Sequence, residues 1–162
     1  PDEEILKLNF MSKRILMVCL GNICRSPIAH GIMADILPNS FIDSAGTGSY
    51  HIGSPPDPRS IQVAQDKGID ISHQSARQFQ SSDFTKFDHI FVMDRQNYRD
   101  VIAKANHQDD IDKVELLCEA AGLGMRPVPD PYYGGDEGFK SIFDLVKTAC
   151  HRIAEQWKGN HE

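Results

Sequence analysis

The chain is short of several things, and each shortage removes a class of function. No run of apolar residues approaches the length needed to cross a bilayer, so membrane insertion is not expected. No block of lysine or arginine exists either. Its 17 basic residues against 23 acidic ones leave a net charge of −6, which does not suit a nucleic-acid backbone, and no nucleic-acid partner is expected. Cysteine is scarce and unpatterned. Cys19, Cys24, Cys118 and Cys150 form no CxxC pair and no second ligand pair at finger spacing, so the sequence predicts no metal site. Nor do four cysteines in 162 residues make the dense framework of a small secreted domain. The opening Pro1-Asp2-Glu3-Glu4 leads into no apolar segment with a cleavage site, and a cytoplasmic location with reduced thiols is expected.

What is present is enough for one ordinary soluble domain. Met11-Ser12-Lys13-Arg14 reads as a natural start, so residues 1–10 are expected to be an extension and residues 11–162 a single domain. Ile15-Leu16-Met17-Val18 is an unbroken apolar run, as in a strand covered on both faces. From Pro27 the residues Ile28, Ile32, Met33, Ile36 and Leu37 recur at helical spacing until Pro38. Strands are predicted at Phe41–Gly46, His89–Met93 and Val114–Leu117. Between and after them come helices at Arg59–Asp66, from Asp94 to about Ala105, and along a stripe from Phe139 to Trp157. A long loop is predicted from Cys118 to Gly135. Strand-helix alternation of this kind predicts an α/β fold of three layers, a four-stranded parallel sheet with helices on both faces. Ligands of such sheets bind beyond the carboxyl ends of the strands.

One segment lies at such an end. Cys19-Leu20-Gly21-Asn22-Ile23-Cys24-Arg25-Ser26 joins the first strand to the first helix. Gly21 permits a sharp turn, and Asn22 tolerates positive φ better than most residues. Loop amides and a helix start would surround Cys19 with positive potential, and Arg25 adds a full charge, a setting that favours a nucleophilic thiolate. The same amides can hold the oxygens of a tetrahedral dianion, with Arg25 gripping two of them. Ser26 offers a hydroxyl to the sulfur. The competing reading, a core cysteine and a solvated arginine, accounts for none of the loop's glycine, asparagine, serine and proline.

Phosphoryl transfer through a phosphocysteine also needs an acid for the departing oxygen and then a base for water. Asp130, in Asp130-Pro131-Tyr132-Tyr133, is the candidate, and a turn-forming aspartate is the alternative. Tyr132 and Tyr133 would wall a flat substrate or cover the core.

These two motifs in this order resemble those of the low-molecular-weight protein tyrosine phosphatases. The likeness runs from Arg14 to Trp157 and includes Asp43-Ser44-Ala45, Gly53-Ser54-Pro55-Pro56-Asp57, Ser72-His73, Ala76-Arg77-Gln78 and Phe91-Val92-Met93-Asp94. The resemblance implies a flavodoxin-like sheet and hydrolysis of phosphotyrosine without cofactor. Cys19 would be the nucleophile, Arg25 the phosphate clamp, and Asp130 the acid and later the base. Leu20, Gly21, Asn22, Ile23, Cys24 and Ser26 would form the loop around the phosphate. Ser44 and His73, with Asn22, match a network that holds this loop in shape, and Asp94 matches a supporting carboxylate. Tyr50 matches a rim aromatic that would face Tyr132 across a phosphotyrosine ring. Ile23 stands where relatives acting on phosphoarginine carry threonine. Cys24 matches a neighbour that captures oxidised Cys19 as a disulfide. Expected partners are phosphotyrosine proteins, with phosphate, vanadate or sulfate as active-site anions. The alternatives are a thiol-dependent arsenate reductase of the same fold, for which Cys118 and Cys150 are poorly spaced, and a non-catalytic anion- or partner-binding module.

Overall fold

Each apolar run of the sequence becomes a buried strand in the computed structural model of the chain, which describes residues 12–132 and 134–159. The expected extension at residues 1–10 and the candidate Tyr133 lie outside the described residues. Four strands, β1 (Arg14–Cys19), β2 (Phe41–Gly46), β3 (His89–Val92) and β4 (Val114–Leu116), form one sheet in the order β2-β1-β3-β4. All its pairings are parallel, with Ile15 opposite Ile42 on one side and His89 on the other. Parallel neighbours need covered crossovers, and the helices supply them. They are α1 (Arg25–Ile36), α2 (Pro58–Asp66), α3 (Asp83–Lys86), α4 (Arg95–Ile102), α5 (Gln108–Ile111), α6 (Leu117–Ala120) and α7 (Gly135–Gly159).

Alternate residues of β1 divide the core into its two layers. Ile15 and Met17 face α1, α2 and α7, whose Ile28, Ile32, Val63, Phe139, Phe143 and Val146 complete one cluster. Leu16 and Val18 face the other side, toward Phe79, Phe84, Phe87 and Val101. Every β1 residue from Ile15 to Val18 is fully buried, at about 1.5–3 kcal/mol for each large side chain. Phe143, at the centre of α7, is 0 % exposed, so truncating it to alanine would cost about 3–5 kcal/mol.

The three-layer expectation therefore holds, with differences at the ends of elements. α4 stops at Ile102 rather than near Ala105, and the expected loop after β4 opens with the single turn α6. The one-turn helices α3, α5 and α6 are too short to show a period in sequence. β1 feeds α1, β2 lies on one side of β1, and β3 returns on the other. The crevice at this reversal sits beyond the carboxyl end of β1, where Cys19 is.

Candidate active site

Where β1 ends, the backbone cannot simply continue, because β2 and its extension close over it. Thr47 N donates to the Cys19 carbonyl at 2.9 Å and Gly48 N to that of Leu20 at 2.8 Å. On the far side of the loop, Asp57 N donates to the Ile23 carbonyl at 2.8 Å and Ser60 Oγ to that of Cys24 at 3.3 Å. Four carbonyls of one short loop are thus tied outward. A trans peptide points its N–H opposite to its C=O, so the amides of Leu20, Gly21, Cys24 and Arg25 turn the other way, toward the concavity above Cys19. Gly46 makes this close approach possible, since a Cβ there would stand 2.7 Å from the Leu20 carbonyl oxygen. Asn22 takes the bend at φ 56°, the one described non-glycine residue with positive φ.

The side chain of Asn22 then fastens the turn from inside. Its Nδ2 donates to Ser26 Oγ at 2.8 Å and to Ser44 Oγ at 3.0 Å, while its Oδ1 accepts from Arg77 N at 3.0 Å. Cys19 Sγ lies 3.1 Å from Ser26 Oγ and accepts from Asn22 N at 3.3 Å. Asn22 already donates to the Ser26 oxygen, and the Ser26 hydroxyl otherwise reaches the Ala45 carbonyl at a long 3.5 Å. Its proton can therefore turn to a sulfur anion, which can only accept.

Arg25 is 3 % exposed and is the first residue of α1. Its Nη1 donates to Asp94 Oδ2 at 2.8 Å and to the Val128 carbonyl at 3.0 Å, which fixes the plane of the guanidinium. Burial opposes the charge, but Cys19 and Asp94 outweigh it and raise the pKa further. The Nε and Nη2 donors remain for a bound anion. Asp94 follows β3 and caps α4 through Oδ1, which accepts from Asn97 N at 2.8 Å. One carboxylate thus begins a helix and aims the clamp.

Asp130 stands on the opposite wall, with Oδ2 3.9 Å from Arg25 Nη2 and Oδ1 accepting from Tyr132 N at 3.0 Å. The cleft between them has a volume of about 340 Å³. Cys19, Cys24 and Arg25 line it, with Leu20, Gly21, Ile23, Tyr50, His51, Asp130 and Tyr132 around them. The structure therefore brings together all three residues assigned to chemistry and both described rim tyrosines.

His73 departs from the expectation. It is exposed and, among the described residues, has no hydrogen-bond partner. Asp70 explains the departure: its Oδ1 accepts from Ser72 N at 2.9 Å and Ser72 Oγ at 2.6 Å, closing a turn that carries His73 outward. The imidazole on Ser44 belongs instead to His30, whose Nδ1 lies 3.2 Å from Ser44 Oγ. Burial lowers the pKa of His30, and His73 nearby lowers it further. Spacing shows only that His30 shares a helix face with Ser26; its bond to Ser44 spans 14 positions and has no local signal. Arg77, part of the matched Ala76-Arg77-Gln78 but given no role by it, is a second supporting residue. It pairs with Asp43 at 3.1 Å and Asp83 at 3.0 Å while its N–H holds Asn22.

Cys24 immediately precedes α1, makes no capping hydrogen bond through its side chain, and is 5 % exposed. Burial, then Asp57, Cys19 and Asp130, push its thiol up to about 12. Cys118 and Cys150 are buried in the core, and burial raises both thiols. Neither lies on an exposed segment that could carry electrons from Cys19, as a thiol-dependent arsenate reductase would need. Among the described residues no cluster of histidine, cysteine or carboxylates could hold a metal ion, and no helix is long and apolar enough to cross a membrane.

Residues 14–162 match the model of the family described as low molecular weight phosphotyrosine protein phosphatase. A Schizosaccharomyces pombe protein of that name is 43% identical over 138 residues, 80% of this chain and 87% of its own. A protein tyrosine phosphatase from Entamoeba histolytica, solved with Hepes in the active site, superposes with a TM-score of 0.85 at 35% identity, covering 93% of this chain and 100% of that one. Vibrio vulnificus Wzb in complex with benzylphosphonate gives a TM-score of 0.82 at 30% identity, covering 89% and 98%.

Proposed function

The chain belongs to the low-molecular-weight phosphotyrosine protein phosphatases and is a hydrolase of phosphotyrosine, and we propose that Cys19, Arg25 and Asp130 carry the reaction. The observation behind this assignment is one cleft in which a sulfur that accepts from Asn22 N and lies 3.1 Å from Ser26 Oγ faces a carboxylate across a fixed arginine. The loop amides and Arg25 bind the phosphoryl oxygens. The Cys19 thiolate attacks phosphorus as the bond to the aryl oxygen breaks, and Asp130 gives that oxygen its proton. Water then attacks the phosphocysteine, Asp130 takes the proton, and the S–P electron pair returns to sulfur. Ser26 donates to the sulfur at both stages, and the inward amides meet charge where it develops.

Tyr50 and Tyr132 stand at the mouth, where a phosphotyrosine ring would pass between them, and Ile23 offers no hydroxyl to a guanidinium substrate. Hepes and benzylphosphonate, bound by the two structural neighbours, are a sulfonate and an aryl-bearing phosphonate, which supports phosphate, sulfate and vanadate as ligands here. Residues 11–162 form the phosphatase domain in this reading, with 1–10 an extension, and a cytoplasmic setting would keep Cys19 reduced. Cys24 serves as its redox partner: peroxide converts Cys19 to a sulfenic acid, and Cys24 displaces water to give the disulfide. Peroxide treatment and mass spectrometry should then find a Cys19–Cys24 link, and sulfonic acid alone would remove this role.

The test of the main assignment is turnover of phosphotyrosine, phosphoserine, phosphoarginine and arsenate by the purified protein. Phosphotyrosine should be preferred and vanadate should inhibit. Cys19→Ser should lower kcat by more than roughly 10⁴-fold, and retained activity would sink the mechanism.

A further inference from the structure

Asp130 carries the proton, yet its carboxylate is nearly half exposed on a loop, so something must fix where it stands. The segment from Val128 to Tyr132 is held at both ends. Upstream, Val128 is fully buried, its N–H donates to the Met93 carbonyl at 2.8 Å, and its carbonyl accepts from Arg25. Downstream, Tyr132 has the guanidinium of Arg59 over its ring, 5.4 Å from the centroid. Asp130 sits two residues from each anchor.

Arg59 is itself held on two sides. It forms a fork on Asp57, with Nε 3.0 Å from Oδ1 and Nη2 3.0 Å from Oδ2. Its guanidinium also lies 4.5 Å from the centroid of Phe139, at the start of α7. Burial works against the Asp57 charge, but the bonds from Arg59 hold that carboxyl below its usual range, so the fork stays charged. Asp57 in turn is fastened to the phosphate loop, because its N–H donates to the Ile23 carbonyl. A continuous strut therefore runs from the loop that binds phosphate, through Asp57 and Arg59, to the ring next to the acid.

We propose that Arg59 is a positioning residue that sets the reach of Asp130 to the leaving oxygen by holding Tyr132 against α2. This rests on the assignment of Asp130 as general acid. Arg59 touches no reacting atom, and its effect is confined to the step that needs the acid. A planar guanidinium that both forks onto a carboxylate and stacks on two rings is not replaced by an ammonium.

The experiment is kcat/KM for a series of aryl phosphates of increasing leaving-group pKa, since this ratio reports the chemistry up to the phosphocysteine. Asp130→Ala should steepen the dependence, with the greatest loss for phenyl phosphate. Arg59→Gln should steepen it in the same sense, losing up to about 100-fold on phenyl phosphate and about twofold or less on para-nitrophenyl phosphate. Vanadate affinity should stay within about twofold of wild type, because the tie from Asp57 to the Ile23 carbonyl is made by a backbone N–H that the substitution leaves in place. Arg59→Lys should recover part of the loss at most. In an Asp130→Ala background Arg59→Gln should add nothing to the slope. Tyr132→Leu breaks the same contact from the other side and should steepen the slope non-additively with Arg59→Gln, so an unfolded arginine variant leaves the proposal testable. A parallel loss across the series, or no loss, overturns the strut. A flat response in Asp130→Ala alone overturns the acid assignment and the strut with it.

Discussion

The floor of the cleft and its rim are built in opposite ways. On the floor, Cys19, Asn22, Cys24, Arg25 and Ser26 are each 5 % exposed or less, and each polar side chain among them has partners fixed by two or more elements. On the rim, Tyr50 is 77 % exposed and Tyr132 40 %. Tyr50 rests on Gly48, where a Cβ would come within 2.7 Å of its ring. A transition state with charge on several oxygens gains from donors that need not reorganise, which asks for the first kind of construction. Recognising tyrosine in differing protein contexts asks for the second, a surface with few obligations of its own.

The comparison breaks most visibly at Arg25. Arg25→Lys keeps the charge but loses the fork, so kcat/KM should fall roughly 10²–10³-fold for every substrate, with weaker vanadate binding. A loss below about tenfold would mean that the floor is less committed than its hydrogen bonds indicate. Asn22→Ala comes next. It removes three hydrogen bonds from a buried site and leaves an alanine at φ 56°. Stability should drop by about 1–3 kcal/mol, read as a lowered melting temperature. The rim responds more mildly. Tyr50→Ala should raise KM for a phosphotyrosine peptide by at most roughly tenfold and leave vanadate affinity unchanged, because in the proposed assignment the ring would meet the tyrosine and not the phosphate. A large effect on vanadate would show that rim and floor are one unit.

The same contrast explains what could be read from the sequence. The floor was legible because its chemistry is local: Cys19, Asn22, Arg25 and Ser26 lie within eight residues between a strand run and a helix run. The sheet was legible for a similar reason, since β1 and β3 are continuous apolar segments covered on both faces. What escaped joins distant segments. Arg77 reaches Asn22 across 55 positions, and nothing in its neighbours announces that bond. The exchange of His73 for His30 is of this kind too. A turn keyed by Asp70 decides which imidazole faces Ser44, and the turn's direction depends on Ile71 and Ala76 being buried on either side of it. Arg59 was legible as a helix residue only; its contact with Phe139 exists because α7 folds back over α2, and that with Tyr132 because the loop carrying Asp130 returns beside them.

His30 gives the smallest effect and the finest discrimination between floor and rim. Burial, chiefly, and then His73 lower its pKa, while Asp43 pulls the other way. The native state therefore resists a proton that the unfolded chain accepts. At pH well above the ordinary histidine value of 6.5 both states are neutral and the group contributes nothing to the pH dependence. As pH falls through 6.5 the unfolded chain charges first, and stability is lost until the pH drops below the native pKa, where the loss is complete. His89, half-buried beside Lys13, shifts in the same direction and adds to the same slope. His30→Gln should remove only one share of it, measured as the difference in urea midpoint between about pH 7.5 and about pH 5.5. The two histidines differ in what they touch. His30 is one hydrogen bond from Ser44 and two from Asn22, so its protonation should also weaken vanadate binding over that window, whereas His89→Gln should leave the binding profile as it was. If both variants trim the stability slope but neither alters the vanadate profile, the network beneath the loop holds its shape without His30, and Ser44 with Arg77 is enough to support Asn22.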